Sequence, residues 1–77
     1  MRAVVQRVQR ASVTHGARTE SIEKGLLVLL GVARGDGLEE AVWMAHRIAN
    51  LRVFPDTAQK MRYAIIDHGF DVLVISQ

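Results

Sequence analysis

The sequence predicts a mixed α/β fold of the α+β type, in which a mainly antiparallel β-sheet carries one packed helix. Residues 25–32 contain no polar side chain, and a glycine stands near each end. A short apolar run of this kind is typical of a strand buried on both faces. Residues 38–50 carry the clearest helical period, whereas the other apolar segments are short and separated by turn residues. With 77 residues, the chain is expected to form a single domain over 1–77.

Residues 25–32 are expected to form the central strand, with other elements pairing both of its edges. The alternative is a buried helical segment, but eight residues are few for a helix and both glycines would weaken one. The run is also far shorter than the ~20 residues that a membrane-spanning helix needs.

The N-terminal segment 3–8 is rich in valine and predicts a first strand. Arg7 shares a face with Ala3 and Val5, so it lies either at the rim of that face or in an ion pair, while Gln6 points to the opposite face. Residues 12–14 can extend or restart this strand, and residues 18–22 are expected to form the returning strand after a tight turn at 15–16.

A helix is predicted over residues 38–50, with Asp36 as N-cap and Glu39 completing a capping box. Ala45 lies at the centre of the apolar stripe and is expected to face the sheet. The stripe consists of Leu38, Ala41, Val42, Ala45, Ile48 and Ala49.

Trp43 lies outside this stripe, on the polar side of the helix with Arg47. Three interpretations are open: partial exposure with stacking on Arg47, packing against a neighbouring or missing element, and stacking on a nucleic-acid base.

The C-terminal part predicts three further strands at 51–54, 62–66 and 71–77, with turns at 55–56 and 67–69. Residues 62–76 would then form a hairpin. Six strands and one helix would leave open sheet edges and an underfilled core. We therefore expect the front portion of a longer fold.

Composition excludes several classes of chemistry. The chain has no cysteine, so it can form neither a disulfide nor a catalytic thiolate. Its three histidines are scattered without a zinc-ligand spacing, and neither a G-x-S-x-G elbow nor a P-loop is present. No signal peptide is visible, which predicts a cytoplasmic protein.

The formal net charge is +2, and four arginines precede the first acid, Glu20. They predict either a local positive patch or a solvated strand edge. The four are Arg2, Arg7, Arg10 and Arg18.

The order and spacing of six blocks along the chain resemble the start of the D-aminoacyl-tRNA deacylase family. The blocks are residues 1–8 (MRAVVQRV), 11–14 (ASVT), 24–32 (KGLLVLLGV), 35–36 (GD), 50–54 (NLRVF) and 76–77 (SQ). Ser76 and Gln77 match the first half of the family's Ser-Gln-x-Thr signature. The fold expected from the resemblance is a truncated, barrel-like form of the deacylase fold.

The resemblance implies a homodimeric hydrolase that releases a D-amino acid, or glycine, from the 3′ end of tRNA in translation quality control. Ser76 and Gln77 would line the catalytic pocket. Arg7, with Gln6, would help to fix a Gly-Pro loop of the partner subunit. Aminoacyl-tRNA is the implied partner, without DNA or membrane, and neither cofactor nor metal is implied. Main-chain N–H groups near the ester can stabilise an oxyanion without a side-chain nucleophile.

The sequence also departs from the family pattern. Residues 15–23 are slightly short, and residues 62–64 and Phe70 are atypical. The Thr of the first signature and the later Gly-Pro signature are absent. The alternative function is therefore a non-catalytic, β-rich association module that retains the dimerising surface.

Overall fold

A three-stranded sheet forms the centre of the computed structural model, which describes residues 1–77. The elements in chain order are β1 (Arg2–Val8), β2 (Ala11–His15), β3 (Arg18–Ile22), β4 (Gly25–Gly31), α1 (Leu38–Ala49), β5 (Phe54–Pro55), β6 (Met61–Tyr63), α2 (Ile65–His68) and β7 (Asp71–Ser76). The strand predicted to be central is confirmed as β4, which lies between β1 and β7. The strands β2 and β3 form a separate hairpin, as predicted, and β3 lies against β7.

Strand β4 pairs antiparallel with β1 and parallel with β7. Its first residue has to be glycine, because a Cβ at Gly25 would collide with the backbone carbonyl oxygen of Asp71. Gly25 therefore allows the close approach of β7 at the start of β4.

The core lies on one face of the central sheet. Leu26 and Val28 of β4 are 0% and 1% exposed, and they pack with Phe54 and Ile65. On the opposite face Leu27 and Leu29 are half-buried, so the prediction of full burial on both faces is correct for one face only. Only seven of the 77 residues are buried, which confirms the expected underfilled core.

The predicted helix is confirmed as α1, but its N-cap lies one residue later than expected. Gly37 is the N-cap, and its N–H donates to Glu40 Oε1 at 2.7 Å. The Asp36 carboxylate accepts the Ala33 N–H instead, at 2.8 Å. The predicted capping box of Asp36 with Glu39 is therefore wrong by one position. No helix in the chain has the length and apolarity that crossing a membrane would require.

The predicted hairpin over residues 62–76 is wrong. Strand β6 pairs antiparallel with β5, and β7 instead joins β4 in parallel. Between them Ile65 and Ile66, which had indicated a strand, lie in α2. Asp67 accepts the Ala64 N–H at 2.8 Å at the start of this helix, and Gly69 ends it at φ +68°. These local hydrogen bonds outweigh the strand propensity of two β-branched residues.

The central sheet is consequently mixed rather than mainly antiparallel. The seven strands form three separate sheets, one of three strands and two of two strands, so a closed barrel is not observed. The α+β class with one main helix is confirmed.

Candidate functional site

The residues proposed for the site lie at opposite ends of the central sheet. Ser76 stands in register with Leu30 of β4, whereas Arg7 stands in register with Leu26. Four residue steps separate these positions by about 13 Å along the strands, and two strand spacings add about 10 Å across them. One chain therefore does not bring Arg7 and Ser76 together.

The Ser76 end of the sheet carries main-chain groups at an open edge. The Gln77 N–H donates to the Leu30 carbonyl oxygen at 2.8 Å, and the Asp71 N–H donates to the Lys24 carbonyl oxygen at 3.4 Å. Alternate residues of a parallel strand bond to the same neighbour. The N–H of Ser76 therefore points away from β4, toward the edge of β7 to which no other strand is hydrogen-bonded.

Gln77 borders an open hollow of about 470 Å³ at this end. The hollow is lined by Met1, Arg2, Gly31, Val32, Ala33 and Gln77. The lining brings together the start of β1 at Arg2, the end of β4 at Gly31 and the residue that follows β7, Gln77.

An ion pair that the sequence did not reveal stands beside this hollow. The Met1 ammonium lies 2.7 Å from Asp36 Oδ2, with side chains that are 9% and 14% exposed. The hydrogen bond from this ammonium, followed by that from the Ala33 N–H, lowers the pKa of the Asp36 carboxyl. The pair ties the start of β1 to the loop that precedes α1. The Gly35-Asp36 pattern was the only sequence signal, and it also fits a helix cap.

Arg7 occupies the rim of the core face rather than an ion pair. Its Nη1 donates to the Val53 carbonyl oxygen at 2.6 Å and contacts Met61 Sδ at 3.3 Å. Gln6 lies on the opposite face of β1, as its alternate position requires. Arg7 and Gln6 are therefore neighbours in sequence that face different surroundings.

Two other early arginines pair with acids at the surface. Arg18 Nε lies 2.8 Å from Glu20 Oε1, and Arg10 Nε lies 3.8 Å from Glu23 Oε2. These exposed pairs favour the interpretation as a solvated strand edge over a concentrated positive patch.

An apolar cleft of about 310 Å³ separates α1 from the central sheet. Ala45 lines it, as predicted, but remains exposed because the cleft is open. The stripe on α1 is rotated from its predicted position, since Met44 lines the cleft while Leu38 is 81% exposed. All lining side chains are apolar: Met1, Val28, Leu30, Ala41, Met44, Ala45, Ile48, Ala49, Ile65, Val72 and Val74.

Trp43 lies on the outer side of α1 and is 60% exposed. The Arg47 guanidinium lies 5.5 Å from its ring centroid. This geometry confirms the first of the three interpretations, partial exposure with stacking on Arg47.

The Ser76 end of the sheet offers a main-chain hydrogen-bond donor that no strand of this chain uses. No group of three His, Asp or Glu side chains lies close enough to hold a metal ion. An outward N–H at Ser76 is a donor of the kind that stabilises an oxyanion in acyl transfer. The fold thus brings an outward backbone N–H at Ser76 and an open hollow beside Gln77 to the same end of the central sheet.

Comparison with known proteins agrees with this description. Residues 4–77 match the family model described as D-Tyr-tRNA(Tyr) deacylase, and the chain belongs to this family. The match includes most of β1, all of β4, α1 and β7, and both Ser76 and Gln77.

Proteins named D-aminoacyl-tRNA deacylase resemble the whole chain. The protein from Anaeromyxobacter dehalogenans is 55% identical over 78 aligned positions, and that from Chlorobium limicola is 54% identical. A solved structure titled c-Myc DNA Unwinding Element Binding Protein superposes with a TM-score of 0.90 at 43% identity, over all of this chain and 53% of that one. The chain spans about half the length of the curated relatives, 52% in the first two.

Proposed function

We propose that this chain supplies the N-terminal part of an enzyme that hydrolyses the ester of D-aminoacyl-tRNA and of mischarged glycyl-tRNA. Water adds to the acyl carbon, the bond to the ribose oxygen breaks, and free amino acid and tRNA leave. The observation that carries the proposal is the family match over residues 4–77, which reaches the Ser76-Gln77 segment.

The proposed role of the Ser76 segment is to hold the ester by backbone groups. The outward N–H of Ser76 is the candidate donor to the oxyanion that forms on the acyl oxygen. Gln77 borders the adjoining hollow and is the candidate contact to the aminoacyl end of the tRNA. No protein nucleophile is needed if water attacks an ester positioned in this way.

The separation of Arg7 from Ser76 supports a homodimer as the working form. Within one chain Arg7 lies at the far end of the sheet, so it can serve a pocket near Ser76 only from a second copy. We propose that Arg7 positions a loop of the partner subunit in this dimer, and that the enzyme acts in the cytoplasm in translation quality control.

A chimera tests the proposal. Residues 1–77 are joined to the part of the Anaeromyxobacter dehalogenans protein that follows the aligned region, with the intact protein as positive control. The chimera should release D-Tyr from D-Tyr-tRNA and leave L-Tyr-tRNA charged. In the chimera, Gln77→Ala should lower kcat/KM, because Gln77 borders the proposed pocket.

The matched control for Gln77 is His15→Ala, an exposed polar residue that lines neither this hollow nor the other pockets described for the chain. A folded chimera without activity toward D-Tyr-tRNA would contradict the proposal. Equal loss of activity in the Gln77→Ala and His15→Ala variants would remove Gln77 from the site.

A second function, a non-catalytic association module, is favoured by the open apolar cleft beneath α1. A cleft of about 310 Å³ with a wholly apolar lining suits an apolar segment from another chain. An inactive but folded chimera, together with stable dimers of the 77-residue chain, would favour this function over hydrolysis.

A further inference from the structure

A second pocket lies at the Gly25 end of the central sheet, and Arg7 is the only one of its lining residues that has a role in the proposed function. Its volume is about 320 Å³, and it shares no lining residue with the apolar cleft. Exposed side chains at its rim include Arg7, Gln9, Lys24, Gln59 and His68, and Phe54 lies in its buried floor. We call it the aromatic pocket.

Aromatic rings form a fixed stack in the aromatic pocket. His68 and Phe70 are nearly parallel, with centroids 4.7 Å apart and an interplanar angle of 13°. Phe54, which is 2% exposed, meets His68 edge-on at 5.9 Å and Phe70 edge-on at 5.3 Å. Tyr63 meets His68 edge-on at 5.0 Å. Because buried Phe54 holds both rings from below, an exposed histidine is held in one orientation.

The charge in the aromatic pocket is positive and uncompensated. Lys24 Nζ lies 5.4 Å from the Phe70 centroid, and Arg7 lines the same pocket. The lining contains no acidic residue, and neither cation forms an ion pair. An anionic group that enters the pocket would therefore meet two cations without displacing a carboxylate.

The loop that bears Gln59 is held in an uncommon conformation at the edge of the pocket. Gln59 is the only non-glycine residue with positive φ, at +64°. Asp56 Oδ1 accepts the N–H groups of Ala58 and Lys60, at 2.8 and 3.0 Å. Strained backbone of this kind persists where surrounding bonds hold it, and it recurs at ligand sites. Gln59, like Gln9, lines the aromatic pocket.

We infer that the aromatic pocket binds the base and the adjoining phosphate of an unpaired nucleotide. A flat base can extend the stack of His68, and aromatic stacking accepts every base. Lys24 and Arg7 suit the phosphate, and the two glutamine amides can donate to and accept from a base edge. The volume lies at the lower end of the range for small-molecule pockets. Bases within a duplex are stacked on both faces, so the ligand has to be unpaired.

The inference concerns binding alone and does not depend on hydrolysis. The test measures fluorescence anisotropy of a labelled, uncharged, short oligoadenylate RNA with the 77-residue chain over a series of salt concentrations. His68→Ala should weaken binding between about 5-fold and 150-fold, the range for loss of one stacked base. His68→Phe should restore it. Lys24→Gln should reduce the slope of log K against log salt by about 0.7, the value for one phosphate contact on a single strand.

Two exposed residues outside the aromatic pocket provide matched controls, His15→Ala and Lys60→Gln, which should change neither quantity. Circular dichroism checks the fold of each variant. If His68→Ala unfolds, His68→Phe and Lys24→Gln carry the test.

Competition identifies the source of the nucleotide. If adenosine monophosphate displaces the labelled RNA as effectively, per nucleotide, as the unlabelled oligomer does, the ligand is a free nucleotide. If only the oligomer displaces it, the ligand is a nucleotide within an RNA single strand. Absence of binding, variants indistinguishable from their controls, or duplex RNA that competes as well as the single strand would each overturn the inference.

Discussion

Filling the apolar cleft should stabilise the 77-residue chain, although larger core side chains usually destabilise a protein. Ala45 lies on the α1 wall of the cleft, opposite Val28, Val72 and Val74 of the sheet. Ala45→Leu adds three carbon atoms to a cleft of about 310 Å³, so the new side chain requires no displacement of its neighbours.

The expected gain in the free energy of unfolding follows from the number of carbon atoms that leucine would remove from water. Three added carbons would contribute about 2.4 kcal/mol if fully buried, at ~0.8 kcal/mol for each CH₂. Ala45 is itself exposed because the cleft is open, so we expect roughly half of this value, about 1 kcal/mol. For a chain of this size, 1 kcal/mol corresponds to a rise in Tm of about 4–8 °C.

Thermal unfolding followed by circular dichroism measures this change. His46→Leu is the matched control, because His46 is an exposed α1 residue that does not line the cleft. It introduces the same side chain into the same helix without filling the cleft, and its Tm should rise less.

A fall in Tm for Ala45→Leu would refute the reasoning, because it would mean that α1 packs on the sheet without room for three carbons. Ala45→Glu provides the opposite test. Full burial of its carboxylate would cost several kcal/mol, but the open cleft lets it reach water, so we expect a loss of only about 1 kcal/mol.

Three further predictions concern the two ends of the sheet. In the chimera, Arg7→Ala should clearly reduce the ratio of D-Tyr to L-Tyr release and should lower Tm only slightly, since its proposed role is to position a loop of the partner subunit. An unchanged ratio with a lowered Tm would leave Arg7 a structural role alone. Asp36→Asn should lower Tm at pH 7, and the difference from the parent should shrink in acid, where the parent also loses its ion pair with Met1. The pKa of Asp36 is lower in the folded chain than its unfolded value of about 3.9, so the ionised carboxylate stabilises the fold above that value. This stabilisation is lost as the pH falls through the folded-state pKa. A Tm difference that persists unchanged to pH 2 would contradict that assignment. The 77-residue chain alone should release no D-Tyr above background, because misplacing a catalytic group by about 1 Å can cost 10²-fold in rate; turnover within tenfold of the intact relative would refute this expectation. The chain should also self-associate through its open apolar cleft. Light scattering should then show smaller particles for Val74→Lys, which places a charge on an exposed residue of the cleft.

Local signals predicted the elements that depend on neighbours in sequence. The β4 strand follows from an apolar run between glycines, and α1 follows from a 3.6-residue period, so both are found close to their expected bounds. The N-cap lies one residue later than predicted: the Asp36 carboxylate accepts the Ala33 N–H and pairs with the Met1 ammonium, a partner that is distant in sequence.

The course of the chain after α1 could not be predicted in this way. Ile65 and Ile66 favour a strand by propensity, yet the Asp67 cap and Gly69 place them in α2. That short helix allows β7 to cross over and pair in parallel with β4, which a tight hairpin does not permit.

The sequence by itself determined the fold class, the central strand, the main helix and the family, because each rests on residue types and spacings along one segment. Only the tertiary structure decided the register that separates Arg7 from Ser76, the open cleft beneath α1 and the stacking of His68 on Phe70. Strand register and side-chain contacts join segments distant in the chain. Their free energies depend on how whole surfaces fit, and no local pattern encodes that fit.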